Sequence, residues 1–211
     1  MPSGIKVPMP TLERLATYLT ILTDLKIRNI ETISSADIEM RTGVSAAAFR
    51  KDLSYFGEFG RPGIGYNVNE LHSRISHILK IEKPQPVVLV GAGHLGSALA
   101  RYQPLRAENF HIVAAFDSNP NKIGRQLWDL AIMDIADIVE QNKLLSARIG
   151  IIAVPALAAQ EVADKLVEAK VTAILNFAPT LLRLPAGITV RNVDFLQELA
   201  VLSYHLPEDR L

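Results

Sequence analysis

The residues best placed to do chemistry are three glycines and one acid. The stretch Gly91-Ala92-Gly93-His94-Leu95-Gly96 has the glycine spacing of a turn that lets backbone N–H groups close on a diphosphate. Gly91 suits a tight turn, Gly93 lets main-chain amides approach a pyrophosphate, and Gly96 lets the following helix pack close to the strand before it. Asp117 lies 21 residues beyond Gly96. A carboxylate at that distance can accept hydrogen bonds from both hydroxyls of a ribose and would repel a 2′-phosphate. The chemistry expected is therefore binding of NAD(H) in preference to NADP(H). A glycine turn by itself is also an ordinary strand–helix connection, so the reading rests on what flanks it.

The flanks agree. The apolar run Val87 to Val90 precedes the turn, a helical pattern begins at once after Gly93, and a second apolar run from His111 ends in Asp117. The helix N-terminus would face the phosphates with its partial positive charge. Ser118-Asn-Pro120-Asn reads as a turn that brings Lys122 and Gly124 near the adenosine edge. Residues 135–143 look helical, Ile149 to Pro155 reads as a buried strand with its exit, Leu157 to Ala169 as a helix, and Ala173 to Pro179 as another strand and exit. Ligands of doubly wound sheets lie at the carboxyl ends of the strands, which makes Val154, Pro155, Asn176, Phe177 and Pro179 candidates to line the nicotinamide half. Plain strand–helix turn chemistry explains the same residues, and for Pro179 it is the simpler account. Leu196, Leu199, Leu202 and Leu206 recur at helical spacing in a last helix, which could cover its own domain or cross to a second subunit.

The N-terminal third has a different pattern. Residues 1–10 carry three prolines and Lys6, as an extended arm would. Leu12, Leu15, Leu19 and Leu22 predict a helix from Thr11 to about Lys26, with Arg14 off its apolar stripe and free to meet another domain, or simply solvated. Ser34 with Asp37 is a capping-box variant opening a short helix, Gly43 ends it, and Ser45 caps a second helix that stops by Gly57. Such a pair is a helix-turn-helix or a plain helical hairpin. In the second helix Phe49, Leu53 and Phe56 share the inward face. Ala46 and Ala47 permit close approach to base edges, while Arg50, Lys51, Ser54 and Tyr55 can reach bases or phosphates. Gly57 to Tyr66 is glycine-rich and suits a small β-ribbon, a wing whose Arg61, near Gly63, could enter a minor groove; a flexible loop is the alternative. Asn67 to Lys80 reads as one more helix, and Glu82-Lys-Pro84-Gln-Pro86 as a short stiff linker.

The chain of 211 residues has 49% hydrophobic residues, enough for a real core, and no net charge. Through residue 80 there are ten Lys and Arg against eight Asp and Glu, so any DNA contact must come from where cations sit and not from bulk charge. The chain has no cysteine, which excludes disulfides and thiolate metal sites, and its five histidines lack metal-ligand spacing. No apolar run is long enough to span a bilayer and no signal-peptide core opens the chain, so a soluble, cytoplasmic protein with no membrane partner and no metal is expected.

These residues together resemble the Rex family of bacterial redox-sensing transcriptional repressors. The resemblance is carried by Phe49-Arg50-Lys51-Asp52-Leu53-Ser54-Tyr55-Phe56-Gly57, Gly63-Ile-Gly65-Tyr66, the turn and helix from Gly91 to Leu99, Asn176-Phe177-Ala178-Pro179 and Asn192-Val193-Asp194-Phe195. It covers nearly the whole chain, with His94 and the stretch Trp128 to Asp134 as departures. It implies an α/β protein: a winged helix-turn-helix over 1–83, a Rossmann-type parallel-sheet domain over 84–193 that binds NADH or NAD⁺, and a domain-swapped C-terminal helix over 194–211 that makes a homodimer. Phe195 of one subunit would approach the nicotinamide of the other. Arg14, Tyr102 and Asp194 would join the DNA-binding and nucleotide domains by contacts that depend on the bound state. The implied function is release from palindromic operator DNA when NADH binds, without enzymatic turnover.

Two other readings compete. An NAD-dependent dehydrogenase would need a substrate domain and a proton-transfer constellation, and the roughly 125 residues after the linker hold the nucleotide fold and little else. A CoA-binding module shares the topology, but Asp117 favours a ribose diol.

Overall fold

The computed structural model describes residues 7–60 and 64–206. The expectations for Lys6, Arg61 and Gly63 lie outside these residues. The chain divides into two compact units, Met1–Lys83 and Pro84–Leu211.

In the first unit, helix α1 (Met9–Ile27) is followed by strand β1 (Thr32–Ile33), helices α2 (Ser35–Thr42) and α3 (Ala46–Ser54), strand β2 (Tyr66–Asn67) and helix α4 (Val68–Ile78). Local chemistry sets each boundary. Proline in the first turn of α1 costs no hydrogen bond there. Ser34 and Asp37 complete a reciprocal capping box, with Ser34 N donating to Asp37 Oδ2 at 2.9 Å and Asp37 N to Ser34 Oγ at 3.1 Å. Gly43 closes α2 at φ 71°, a left-handed turn that a side chain would strain. Ser45 accepts from Ala48 N at 3.2 Å and starts α3, and Asn67 caps α4 by accepting from Glu70 N at 3.0 Å. The core lies between α1, α3 and α4, built on Leu15, Tyr18, Leu22, Phe49, Leu71 and Ile75. Tyr18 and Tyr66 both meet the Phe49 ring edge-on, at 4.9 and 5.2 Å.

The ribbon expected over Gly57 to Tyr66 falls partly outside the described residues. Among the described residues Tyr66–Asn67 pairs antiparallel with Thr32–Ile33. The partner comes from the connection between α1 and α2, where a two-residue strand leaves no periodicity to read.

The second unit begins with β3 (Gln85–Val90), α5 (His94–Arg101), α6 (Gln103–Ala107) and β4 (Phe110–Asp117). There follow the hairpin β5 (Gln126–Leu127) and β6 (Leu130–Asp134), a 3₁₀ turn into α7 (Ile138–Leu145), β7 (Ile149–Ile152), α8 (Ala156–Glu168), β8 (Ala173–Asn176), β9 (Thr189–Asn192) and α9 (Phe195–Tyr204). The strands form one sheet in the order β5-β6-β4-β3-β7-β8-β9, parallel throughout except for β5. From β6 to β9 this is the order of a doubly wound dinucleotide fold, with the reversal of winding between β3 and β7. Side chains of β3 alternate, Val88 and Val90 facing the core under α7 and α8, Val87 and Leu89 facing the opposite core, against which Leu99 and Ala100 of α5 pack. The short strands β5, β6 and β9 were not expected from the sequence; β9 is a largely exposed edge with no apolar run.

Every residue of α9 is exposed. Among the described residues no helix is long and apolar enough to cross a membrane, and none of their His, Asp and Glu residues cluster as a metal site.

Candidate functional site

The turn after β3 lies at the point where the winding of the sheet reverses. Gly91 N continues the ladder by donating to Phe116 O at 2.8 Å, and Ala153 N donates to Val90 O at 2.8 Å, so the exits of β3, β4 and β7 are locked together. Gly91 has φ 105°, and a Cβ there would strike the Ala153 carbonyl. A Cβ on Gly96 would strike the carbonyl oxygen of Gly91. That contact is backbone on backbone, and it holds α5 against β3. Gly93 is different: a Cβ there would meet nothing within 4 Å. The space over Gly93, in front of the exposed first residues His94 and Leu95 of α5, is where a diphosphate would meet the helix N-terminus.

Asp117, at the end of β4, is 8% exposed. Its Oδ2 accepts from Ala92 N and from Lys122 Nζ, both at 2.9 Å, and its Oδ1 from Asn119 N at 2.9 Å. Burial alone would raise the Asp117 carboxyl; the bonds from Lys122, Asn119 and Ala92 outweigh it and hold the group below the usual carboxylate range. Asp117 is thus a fixed anion that also braces the glycine turn. The residues fit a dinucleotide: open space over Gly93, amides at a helix start, and an ionised acid at the ribose distance.

At the exits of β7 and β8, Val154 is half-buried, Pro155 is exposed and the half-buried Phe177 ring lies 6.4 Å from the Phe195 ring of the same chain. Asn176 plays another part than the one expected of its side chain. It is fully buried, and its amide donates to Ala178 O, Thr180 O and Asn192 Oδ1 while its Oδ1 accepts from Ala178 N. With its polar atoms engaged, it shapes the loop that carries Phe177 and the buried Ala178. Asp194 caps α9 by accepting from Leu196 N at 2.9 Å, and Tyr102 is 57% exposed.

In the first unit Ala47, Arg50, Lys51 and Ser54 are exposed along α3, while Ala46 and Tyr55 are half-buried. Arg50 Nη1 donates to Ser35 Oγ at 2.8 Å, and Ser54 Oγ donates to Lys51 O at 2.7 Å within its own helix. Arg14 corrects the sequence reading of a free surface cation. Its Nε and Nη2 clamp the two oxygens of Asp52 at 2.7 and 2.6 Å. Asp52, on α3, is 1% exposed and was missed. The signal was present: three residues beyond Phe49 and beside Leu53, it sits on the inward face, where an acid needs partners.

The family profile described as CoA binding domain matches residues 82–180, and the one described as putative DNA-binding protein N-terminus matches residues 6–54. A redox-sensing transcriptional repressor Rex from Carboxydothermus hydrogenoformans is 45% identical over 206 residues, 98% of this chain and 99% of that one. The Rex repressor of Desulfitobacterium hafniense is 46% identical over 96% of both chains. The chain belongs to the Rex family of redox-sensing transcriptional repressors. The Rex-like architecture extends to solved structures. RSP in complex with β-NAD⁺ and operator DNA superposes with a TM-score of 0.90 at 35% identity, over 98% of this chain and 95% of that one. RSP in complex with β-NADH gives 0.87 at 33%, over 98% and 97%. As a Rex-family member the chain is a transcriptional repressor with an N-terminal DNA-binding helical domain and a Rossmann-like sheet domain, not an enzyme.

Proposed function

We propose that this repressor binds palindromic operator DNA as a homodimer and releases it when NADH occupies the sheet domain, so that transcription in the cytoplasm follows the NADH/NAD⁺ ratio. The observation that carries the reading is the pair of apolar rings, Phe177 and Phe195, 6.4 Å apart at the carboxyl end of the sheet. The two nucleotides share every phosphate and ribose contact, which Gly91, Ala92, Gly93, His94, Leu95, Gly96, Asp117 and Lys122 supply. They differ only at the nicotinamide, a cation when oxidised and neutral when reduced. Covered by a second subunit, Val154, Pro155, Phe177, Ala178 and Phe195 would form an apolar pocket that disfavours the cation, because burying an unpaired charge costs several kcal/mol.

The α9 side chains support the dimer. Phe195, Leu196, Leu199 and Leu202 of α9, with Leu206 just beyond it, are all at least 60% exposed, and at helical spacing Phe195, Leu199 and Leu202 share an apolar face that a second copy would cover. If α9 crosses between subunits, Phe195 would take against the partner's site the place it holds beside Phe177 of its own chain here, and Tyr102 and Asp194 would carry the nucleotide state to the DNA-binding unit, while Arg14 is committed to Asp52 within its own unit. Within that unit, a winged helix-turn-helix, α3 is the recognition helix. Its Arg50 and Lys51 face the duplex, with Lys6, Arg61 and Gly63 as further contacts. A two-fold dimer reads half-sites about 34–36 Å apart or a multiple of it, so a small rotation of one α3 relative to the other loses the operator. Taking the bound population from 99:1 to 1:99 needs about 5.5 kcal/mol of preference between states, and operator DNA must weaken NADH binding by the same factor as NADH weakens operator binding.

Calorimetric titration of NADH and NAD⁺ tests the ring discrimination. NADH is expected to bind at least about tenfold more tightly, a difference of about 1.4 kcal/mol, and Phe195→Ala to narrow the gap by weakening NADH alone. Equal affinities in the unaltered protein would overturn the reading.

A further inference from the structure

We propose that Asp52 is a positioning residue for operator reading: its buried carboxylate fixes the rotation of α3 about its own axis, and with it the face presented to DNA. This rests on the reading of α3 as the recognition helix. The geometry is that of a saturated acceptor. Oδ1 accepts from Thr11 Oγ1 at 2.9 Å and Arg14 Nη2 at 2.6 Å, and Oδ2 accepts from Arg14 Nε at 2.7 Å and Tyr18 Oη at 2.8 Å. All four lone-pair directions of the carboxylate are used, and all the donors come from α1.

Toward the core the other contacts of α3 are apolar; its remaining polar contacts, Ala46 N donating to Glu39 Oε2 at 3.0 Å and Arg50 Nη1 to Ser35 Oγ at 2.8 Å, tie it to α2 and not to α1. Phe49 and Leu53 are buried against the same core, but apolar contacts have no direction, and a helix held by them alone can roll. A charge-assisted fork of two parallel bonds, with a hydroxyl on either side, does have direction. Successive residues of a helix are about 100° apart, so the inward anchor at Asp52 leaves Arg50 on the far side and Lys51 on a flank. A roll of about 20° carries a point on a helix surface of about 5–6 Å radius through about 2 Å, enough to break a hydrogen bond to a base edge. Phosphate contacts by long, flexible side chains tolerate that movement. The carboxylate therefore governs sequence discrimination more than bulk affinity for DNA.

The test uses the full-length protein, a palindromic duplex selected by that protein from randomised half-sites, and a scrambled duplex of the same length. Affinities are measured over a range of salt for the unaltered protein, Asp52→Asn and Tyr18→Phe, each first checked for native circular dichroism. Asp52→Asn keeps the shape but sets amide hydrogens against the Arg14 and Tyr18 donors. It is expected to lose about tenfold in affinity for the selected duplex while keeping its affinity for the scrambled one and the same salt slope. Tyr18→Phe removes one bond and is expected to lose less, in the same pattern. If both affinities of a folded Asp52→Asn fall together, or neither falls, the inference is overturned. If that variant does not fold, an unchanged ratio in Tyr18→Phe overturns it. Absence of any selected-duplex preference in the unaltered protein removes the proposed function and this inference together, whereas preference that survives Asp52→Asn removes the inference alone.

Discussion

Two single-methyl changes in the same turn are expected to fail in opposite ways. Gly96→Ala places a Cβ into the carbonyl oxygen of Gly91, and neither partner is a movable side chain. Helix α5 has to lift from β3, at a cost typical of overpacking, about 1–3 kcal/mol, and NADH binding is lost along with the turn. Gly93→Ala adds its methyl into open space, at an ordinary φ of −85°, so the fold keeps its stability to within about 1 kcal/mol, the scale of a helix-cap change. That methyl nevertheless occupies the approach to the helix amides. NADH affinity is expected to drop at least about tenfold, about 1.4 kcal/mol, with the melting transition nearly unmoved. Thermal melts and NADH titrations of the two variants check the contrast. A Gly93→Ala protein that binds NADH normally would place the diphosphate elsewhere.

The second large effect is expected at α9. No side chain of this helix is buried, so Leu199→Glu with Leu202→Glu should leave each chain folded while placing charge in the middle of the apolar surface. Light scattering should then report a monomer. A monomer meets one half-site at a time and forfeits the effective concentration that links two sites, so operator affinity should fall by about 100-fold or more. A double variant that remains dimeric would assign the interface to another surface and leave α9 without its proposed role.

What was legible in the sequence was whatever is encoded over short distances. The turn from Gly91 to Gly96 acts through backbone geometry and close approach, and glycine is the residue both demand. The capping box of Ser34 and Asp37 spans three residues and appears as read. Asp117 could be placed because strand and turn lengths in this topology hold an acid at a near-fixed distance from the glycines. What was not legible depends on partners remote in the chain. Arg14 meets an acid 38 residues away, and no local pattern distinguishes such an arginine from a solvated one. Asn176 reads as a polar residue at a strand exit, and only the fold shows its amide turned onto Ala178, Thr180 and Asn192. Strands β1 and β2 have two residues each, too few to alternate, and exist because α2, α3 and α4 bring their ends together.

The proposed response turns on one difference, that between a neutral and a cationic ring. Its most direct test is fluorescence anisotropy of a labelled palindromic duplex bound by the full-length protein at fixed salt, titrated with NADH and, separately, with NAD⁺. NADH is expected to release the duplex at a concentration at least about tenfold below that of NAD⁺, corresponding to about 1.4 kcal/mol of preference. Release by both nucleotides at the same concentration, or a protein–DNA complex indifferent to either, would contradict it.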